Sequence, residues 1–329
     1  MKLASRRSAR RDGELLVVSK DLRRAVAVPE IAQTMQDAIE RWQSVEPFLR
    51  GVYDQLNADR INTAVPLDMT ALESPFPRSY QFLDGSVYLH HMEKARKARG
   101  AEMPPNYKTE PLMYQGLSDR FCGPREPMVF PSASLEPDYE AEVAIVVDDV
   151  PMGQSRDDAA QHIKLVMLLN DYTLRALTKT ELPKGFGFMQ SKPTSSFSPV
   201  AVTPDELGTL WDGEKFHFAL ISEVNGKRMG QPNTGKDMFF SYPMLIEHAC
   251  RTRSLSAGTI IGAGSVTNQD ESSGFGCIAE ARIHEQQSHG AAKTPFLKDG
   301  DEVYIDVLDD RGETIFGGIR QRIKVLKGD

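Results

Sequence analysis

Glu140 and Glu142 stand two apart in the run Asp138-Tyr139-Glu140-Ala141-Glu142-Val143-Ala144-Ile145-Val146-Val147, whose β-branched residues predict a strand. Side chains two apart on a strand share a face, so the two carboxylates stand side by side. Like charges that close raise each other's pKa unless a counter-charge joins them. Two arrangements answer this: an edge strand whose glutamates face water, or a divalent cation between them. Oxygen-only ligands select magnesium, calcium or manganese over zinc. Asp171 closes the apolar stretch Leu165 to Leu169, where a carboxylate needs a cation, hydrogen bonds or a capping role. Asp84 lies in Leu83-Asp84-Gly85-Ser86, a sequence that also suits a plain turn aspartate.

The elements that must position these groups belong to an ordinary globular chain. It has 329 residues, 40% hydrophobic and 26% charged, enough for a sizeable core and for one large domain with a smaller appendage. A net charge of −7 argues against nucleic-acid or acidic-membrane binding, which need basic stripes. Cys122, Cys250 and Cys277 are odd in number and widely spaced, which argues against a disulfide scaffold or a zinc ribbon. No apolar run has the length of a membrane span and no signal core follows Arg6-Arg7-Ser8-Ala9-Arg10-Arg11, so the expectation is a cytoplasmic protein with a charged hairpin tip there.

Leu15 to Val18 and Ala25 to Val28 predict a small β-meander, and Ile31, Met35, Ile39, Trp42 and Val45 predict a helix from about Pro29. Prolines between Pro66 and Pro77 mark a linker, which places a boundary near residue 72 between a segment 1–72 and a catalytic segment 73–329. Beyond it the chain reads as strand-rich, with helices predicted over Arg156 to Met167 and Tyr242 to Thr252. Asn225-Gly226 is a type I′ hairpin signal, and Val303, Ile305 and Val307 alternate as a strand. Many strands, few helices and no GxGxxG after a strand exclude a dinucleotide-binding βαβ fold.

Six motifs in series then carry a resemblance: Glu140-Ala141-Glu142; Asn170-Asp171-Tyr172-Thr173-Leu174-Arg175; Phe188-Met189-Gln190-Ser191-Lys192-Pro193; Ile261-Gly262-Ala263-Gly264-Ser265-Val266; Phe275-Gly276-Cys277-Ile278-Ala279-Glu280; and Leu297-Lys298-Asp299-Gly300-Asp301-Glu302-Val303. From about Tyr80 to Ile323 the chain resembles the fumarylacetoacetate hydrolase family, and the N-terminal region looks like the small domain of bacterial members. The resemblance implies an α+β, strand-rich fold, a mixed β-roll or β-sandwich, in a homodimer.

It also implies a divalent cation, magnesium first and calcium or manganese as alternatives, held by Asp84, Glu140, Glu142 and Asp171. Lys192 or Arg175 would offset the surplus negative charge. His91, seven residues after Asp84, matches the family's catalytic histidine, with His90 as its neighbour and competitor; histidine suits a general base because its unperturbed pKa is near neutral. Glu280 matches the carboxylate that orients the histidine, and Lys192 the lysine that stabilises the leaving carbon acid. Arg99 and Tyr114 match substrate-binding positions, with Arg96 open as the arginine because one residue must be deleted to align Arg99. Ser265 stands where the hydrolases usually carry threonine, and Ala176-Leu177-Thr178-Lys179 lacks a glutamine that some of them use.

The implied activity is hydrolysis of a carbon–carbon bond in a β-diketo acid, with fumarylacetoacetate as first substrate and tyrosine or aromatic degradation as the pathway. Acylpyruvate or fumarylpyruvate hydrolysis, and keto-acid decarboxylation or isomerisation on the same fold, are the alternatives.

Overall fold

The computed structural model describes every residue except Arg99, Ala101, Gly328 and Asp329; of His91, Ala95, Lys97, Ala98 and Lys327 it describes the backbone alone. Strands β1 (Lys2–Arg6), β2 (Glu14–Val18) and β3 (Arg24–Ala27) form the meander, each antiparallel to the next. The arginine-rich segment is the turn between β1 and β2, where Gly13 takes a left-handed φ of 68°. The helix expected from Pro29 starts later. Pro29 to Ile31 form a turn, and Thr34 is the true cap, its hydroxyl accepting from the Asp37 amide at 3.0 Å. There begin α1 (Met35–Glu40) and, after Arg41, α2 (Trp42–Asn57).

The short β4 (Val65–Pro66) pairs with β3. There follow β5 (Phe82–Gly85), α3 (Leu89–Ala98), β6 (Met113–Gly116), β7 (Met128–Ser132), β8 (Pro137–Asp138) and β9 (Ala141–Val147). The helix predicted over Arg156 to Met167 is a correction. Only α4 (Arg156–Ala159) is α-helical, a 3₁₀ turn occupies 160–162, and Ile163–Asn170 is strand β10. The cause is burial on both faces: Val166 and Leu168 enter one core while Leu165, Met167 and Leu169 enter another. A strand covered on both sides reads as a continuous apolar run, which periodicity cannot tell from a buried helix.

After β10 come β11 (Thr173–Leu174), α5 (Arg175–Glu181), β12 (Ser196–Phe197) and β13 (Val200–Val202). The chain continues through β14 (Ile221–Val224), β15 (Lys227–Gly230), α6 (Tyr242–Ala249), β16 (Ile260–Gly262), α7 (Ile278–His289), β17 (Glu302–Asp306) and β18 (Ile319–Lys327). Asn225 and Gly226 both have positive φ, 53° and 72°, as the type I′ hairpin between β14 and β15 requires.

An eleven-stranded sheet runs β4-β3-β2-β1-β13-β10-β9-β16-β5-β6, with β12 added on β10, and a five-stranded sheet runs β15-β14-β17-β18-β7. Pairing of β1 with β13 joins the N-terminal meander to the large sheet. Val143 and Ile145 of β9 share one core with Val303, Ile305 and Ile319 of the smaller sheet, whereas Ala144 and Val146 pack with Ile39, Trp42 and Leu49 of α1 and α2. The fold is thus α+β and strand-rich, as expected. Among the described residues no helix is long and apolar enough to cross a membrane.

Strand directions place the site. β9 is antiparallel to β10 and β16, and β16 is parallel to β5. The start of β9 and the ends of β5, β10 and β16 therefore meet at one end of the sheet.

Candidate active site

At that end Asp84 closes β5, Glu142 opens β9 and Asp171 follows β10. Each offers a carboxylate oxygen, and these three atoms lie within 4.8 Å of one another in the buried interior. Gly262 makes room: a Cβ there would stand 2.4 Å from Asp84 Oδ1. Gly264, held at a φ of 84°, aims its amide between two acids, donating to Asp84 Oδ1 and Glu142 Oε2 at 3.1 Å each.

Glu140, expected beside Glu142 in the same set, stands outside this trio. Its carboxylate accepts from Thr173 Oγ1 at 3.0 Å and pairs with Arg175 at 2.6 Å and Lys192 at 3.0 Å. It precedes the regular strand, bridging Cys277 instead of entering the ladder at the start of β9. Lys192 also pairs with Asp171 Oδ2 at 2.5 Å. Both expected offsetting cations, Lys192 and Arg175, therefore reach the acidic cluster. Arg175 further binds Asp138 at 2.8 Å, and Asp138 accepts the Ile278 and Ala279 amides at 2.8 and 2.9 Å, which fixes the first turn of α7.

Burial, then the charge of Asp171, pushes the Asp84 carboxyl up to about 8. Glu142 is raised well above the carboxylate range by burial and by Asp84. Burial alone would lower Lys192, yet Asp171 and Glu140 raise it above the ordinary lysine value. Arg175 is raised likewise, against its burial, by Glu140 and Asp138. Glu142 Oε1 is buried with no hydrogen-bond partner among the described residues. An all-oxygen trio in which Asp84 and Glu142 resist ionisation, with one orphaned carboxylate oxygen, fits a hard divalent cation.

A cavity of about 270 Å³ opens above the cluster, and Asp84, Glu140, Lys192, Tyr114, Arg175 and Ser265 contribute to its lining. Tyr114 sits on β6 opposite Asp84 and donates its hydroxyl to Asp171 Oδ2. Phe188 lies edge-on to Tyr114 with centroids 4.7 Å apart. The Ser265 hydroxyl is buried and has no partner among the described residues. Arg96 lines the cavity and donates to the Glu102 carbonyl at 2.9 Å, while Arg99 lies outside the described residues.

Glu280 lies on α7, within the helix's first turn and not on a strand. Its Oε1 accepts from Thr267 Oγ1 at 2.5 Å, and His90 Nε2 stands 3.4 Å from that same hydroxyl. His91 follows on α3, with its side chain outside the described residues. Several participants escaped sequence reading. Ser195 donates to Asp171 Oδ1 at 2.6 Å, Thr173 and Thr267 donate to Glu140 and Glu280, and Asp138 fixes Arg175 and the first turn of α7. Only Asp138, beside the glutamate pair, carried a signal, since hydroxyl residues in polar loops look alike from sequence.

A family model described as fumarylacetoacetate (FAA) hydrolase C-terminal matches residues 81–324, and one described as fumarylacetoacetase N-terminal domain 2 matches residues 1–78. A 2,4-didehydro-3-deoxy-L-rhamnonate hydrolase of Sphingomonas sp. (strain SKA58) is 31% identical over 160 residues, 48% of this chain and 53% of that protein, so the match spans about half the relative's length. The oxaloacetate tautomerase YisK of Bacillus subtilis (strain 168) is 27% identical over 245 residues, covering 73% of this chain and 71% of that protein. The maleylpyruvate hydrolase from Sphingobium sp. SYK-6, in complex with manganese(II) ion and pyruvate, superposes with a TM-score of 0.66 at 18% identity over 99% of this chain and 100% of that one, a likeness of fold. With a matching model over most of its length, this chain belongs to the fumarylacetoacetate hydrolase family.

Proposed function

We propose that this chain is a divalent-metal-dependent hydrolase that cleaves a carbon–carbon bond in a β-diketo acid, working as a cytoplasmic homodimer with fumarylacetoacetate as its first substrate. The observation that carries the reading is the buried trio Asp84, Glu142 and Asp171 beside a cavity that also receives Lys192. Those three carboxylates, with Glu140 adjoining, would hold the ion, magnesium in the first instance. When bound, such an ion supplies Lewis acidity toward the paired oxygens of a diketone.

The chain's own groups do the rest. His91, oriented through Glu280, takes a proton from water as the general base, and the hydroxide adds to a carbonyl carbon. The bond to the neighbouring carbon then breaks, and Lys192, charged and buried, faces the enolate that leaves. The proton held by the histidine returns to that carbon, giving fumarate and acetoacetate from fumarylacetoacetate. Ser265, with an unpartnered hydroxyl at the cavity, and Arg99 or Arg96 would bind the substrate's oxygens, while Tyr114 fixes Asp171.

A second reading, keto-acid tautomerisation or decarboxylation by the same residues without attack of water, draws support from the Bacillus subtilis tautomerase match. Incubating the protein with fumarylacetoacetate, acylpyruvates and oxaloacetate, each with magnesium, manganese or calcium, separates the readings. Hydrolysis should give two acids from a diketo acid, and enol–keto exchange of oxaloacetate without cleavage of any diketo acid would favour the second. His91→Ala should lower turnover by roughly a hundredfold or more, and His90→Ala much less. The reverse ranking would move the base to His90.

A further inference from the structure

Helix α3 carries His90 and His91, and α7 carries Glu280, so the orienting of the histidine by Glu280 depends on how the two helices are held together. The segment that precedes α7 reaches both helices, and it does so twice. Thr267 Oγ1 donates to Glu280 Oε1 at 2.5 Å and stands 3.4 Å from His90 Nε2. Four residues on, Glu271 takes Lys94 Nζ at 2.6 Å with one oxygen and His284 Nδ1 at 2.9 Å with the other.

The spacing is matched on all three elements. His90 and Lys94 are four apart on α3, Glu280 and His284 four apart on α7, and Thr267 and Glu271 four apart between them. Residues four apart lie on one helical face, so each rung spans both helices at a successive turn. The joining segment is itself pinned. Asn268 accepts the Asn233 amide at 2.8 Å and donates to the Asn233 and Lys236 carbonyls at 3.0 Å each, and Asp270 caps the short turn that begins at Glu271. A pinned segment with a hydroxyl and a carboxylate facing two helices behaves as a rigid clasp.

We infer that Thr267 and Glu271 are positioning residues which clasp α3 onto α7 and thereby set the separation between the α3 histidine and Glu280. Neither touches the reacting atoms; they act through the residues they hold. This inference rests on the proposed orienting of the histidine by Glu280, so its test includes a reading that does not depend on activity.

In the full chain, Thr267→Val removes the hydroxyl at nearly constant shape, Glu271→Gln removes the charge at a half-exposed site, and Thr267→Ser restores the hydroxyl. Amide hydrogen exchange across residues 89–98 should accelerate in the valine and glutamine variants while β9 and β10 stay protected, and the serine variant should resemble wild type. On a turned-over diketo acid, kcat should fall roughly tenfold to a hundredfold with KM within about twofold, the mark of misplaced groups. Unchanged exchange in α3 would overturn the clasp, and faster exchange with kcat unaltered would overturn its positioning role. Should wild type cleave none of the diketo acids, the functional reading fails by itself, and the exchange measurement alone decides for or against the clasp.

Discussion

Binding of a divalent ion should release about one proton or more at pH 7, and the site's electrostatics set that count. Burial and the charge of Asp171 hold the Asp84 carboxyl near 8, and burial with Asp84 holds Glu142 well above its usual range. In the metal-free protein at pH 7 Asp84 therefore carries its proton and Glu142 is biased toward its own, while Lys192 and Arg175, raised by their acidic partners, remain charged. An incoming dication displaces those protons. Each proton released steepens affinity tenfold per pH unit, about 1.4 kcal/mol, so Kd should fall by about tenfold or more from pH 6 to pH 7. The slope should flatten above about pH 8, where Asp84 has already ionised.

Stability follows the same linkage. A carboxyl whose folded pKa lies above the unfolded value of about 4 stabilises fully below that value, and the contribution is lost as pH rises through the folded pKa. The Tm of metal-free protein should therefore decline between pH 5 and 8, and the rise in Tm on adding magnesium should be larger at pH 8 than at pH 6. Calorimetry in two buffers of different ionisation enthalpy gives the proton count directly. A count near zero at pH 7 would refute the reasoning, because the trio would then be ionised without its cation.

Lys192→Met leaves Asp171 and Glu140 without a buried cation and should destabilise the metal-free protein by about 3–5 kcal/mol near neutral pH in denaturant titrations. The raised lysine pKa keeps its own contribution present throughout neutral pH and loses it only under alkaline conditions. Gly262→Ala places a methyl 2.4 Å from Asp84 Oδ1 and 3.0 Å from Leu169, costing about 1–3 kcal/mol and weakening magnesium affinity at least tenfold by calorimetry. Wild-type affinity in that variant would show that Asp84 does not need its observed position.

The acidic cluster was legible because its residues are rare in apolar company. Asp171 after Leu165 to Leu169, and two glutamates before Val143, demand an explanation wherever they fall in the fold. The meander and the Asn225-Gly226 hairpin were legible because turn chemistry is local. What sequence could not carry were features decided by burial. Ile163 to Asn170 becomes a strand because both faces are covered, and α7 escapes a periodicity reading because only Ile278, Glu280 and Ala281 of its twelve residues are buried. Glu140 looked equivalent to Glu142 by spacing alone. Arg175 and Lys192, which divert it from the trio, come from 35 and 52 residues further along the chain.

Charge balance explains why this diversion does not disable the cluster. Asp84, Asp138, Glu140, Glu142 and Asp171 share one buried neighbourhood with Lys192 and Arg175, so full ionisation would leave a surplus of three negative charges. Burial makes such a surplus costly. Protons on Asp84 and Glu142, both favoured by burial, would reduce it to one, and a single dication among the trio would reduce it to the same value. The metal-free and metal-bound proteins thus reach equal residual charge by different means, with Glu140 locked to its cations in either state. The fold can therefore form its site before the ion arrives. Replacing Glu140 by glutamine should disturb Lys192 and Arg175 first and the ion second, which a smaller loss of magnesium affinity than in Glu142→Gln, alongside a comparable loss of stability, would reveal.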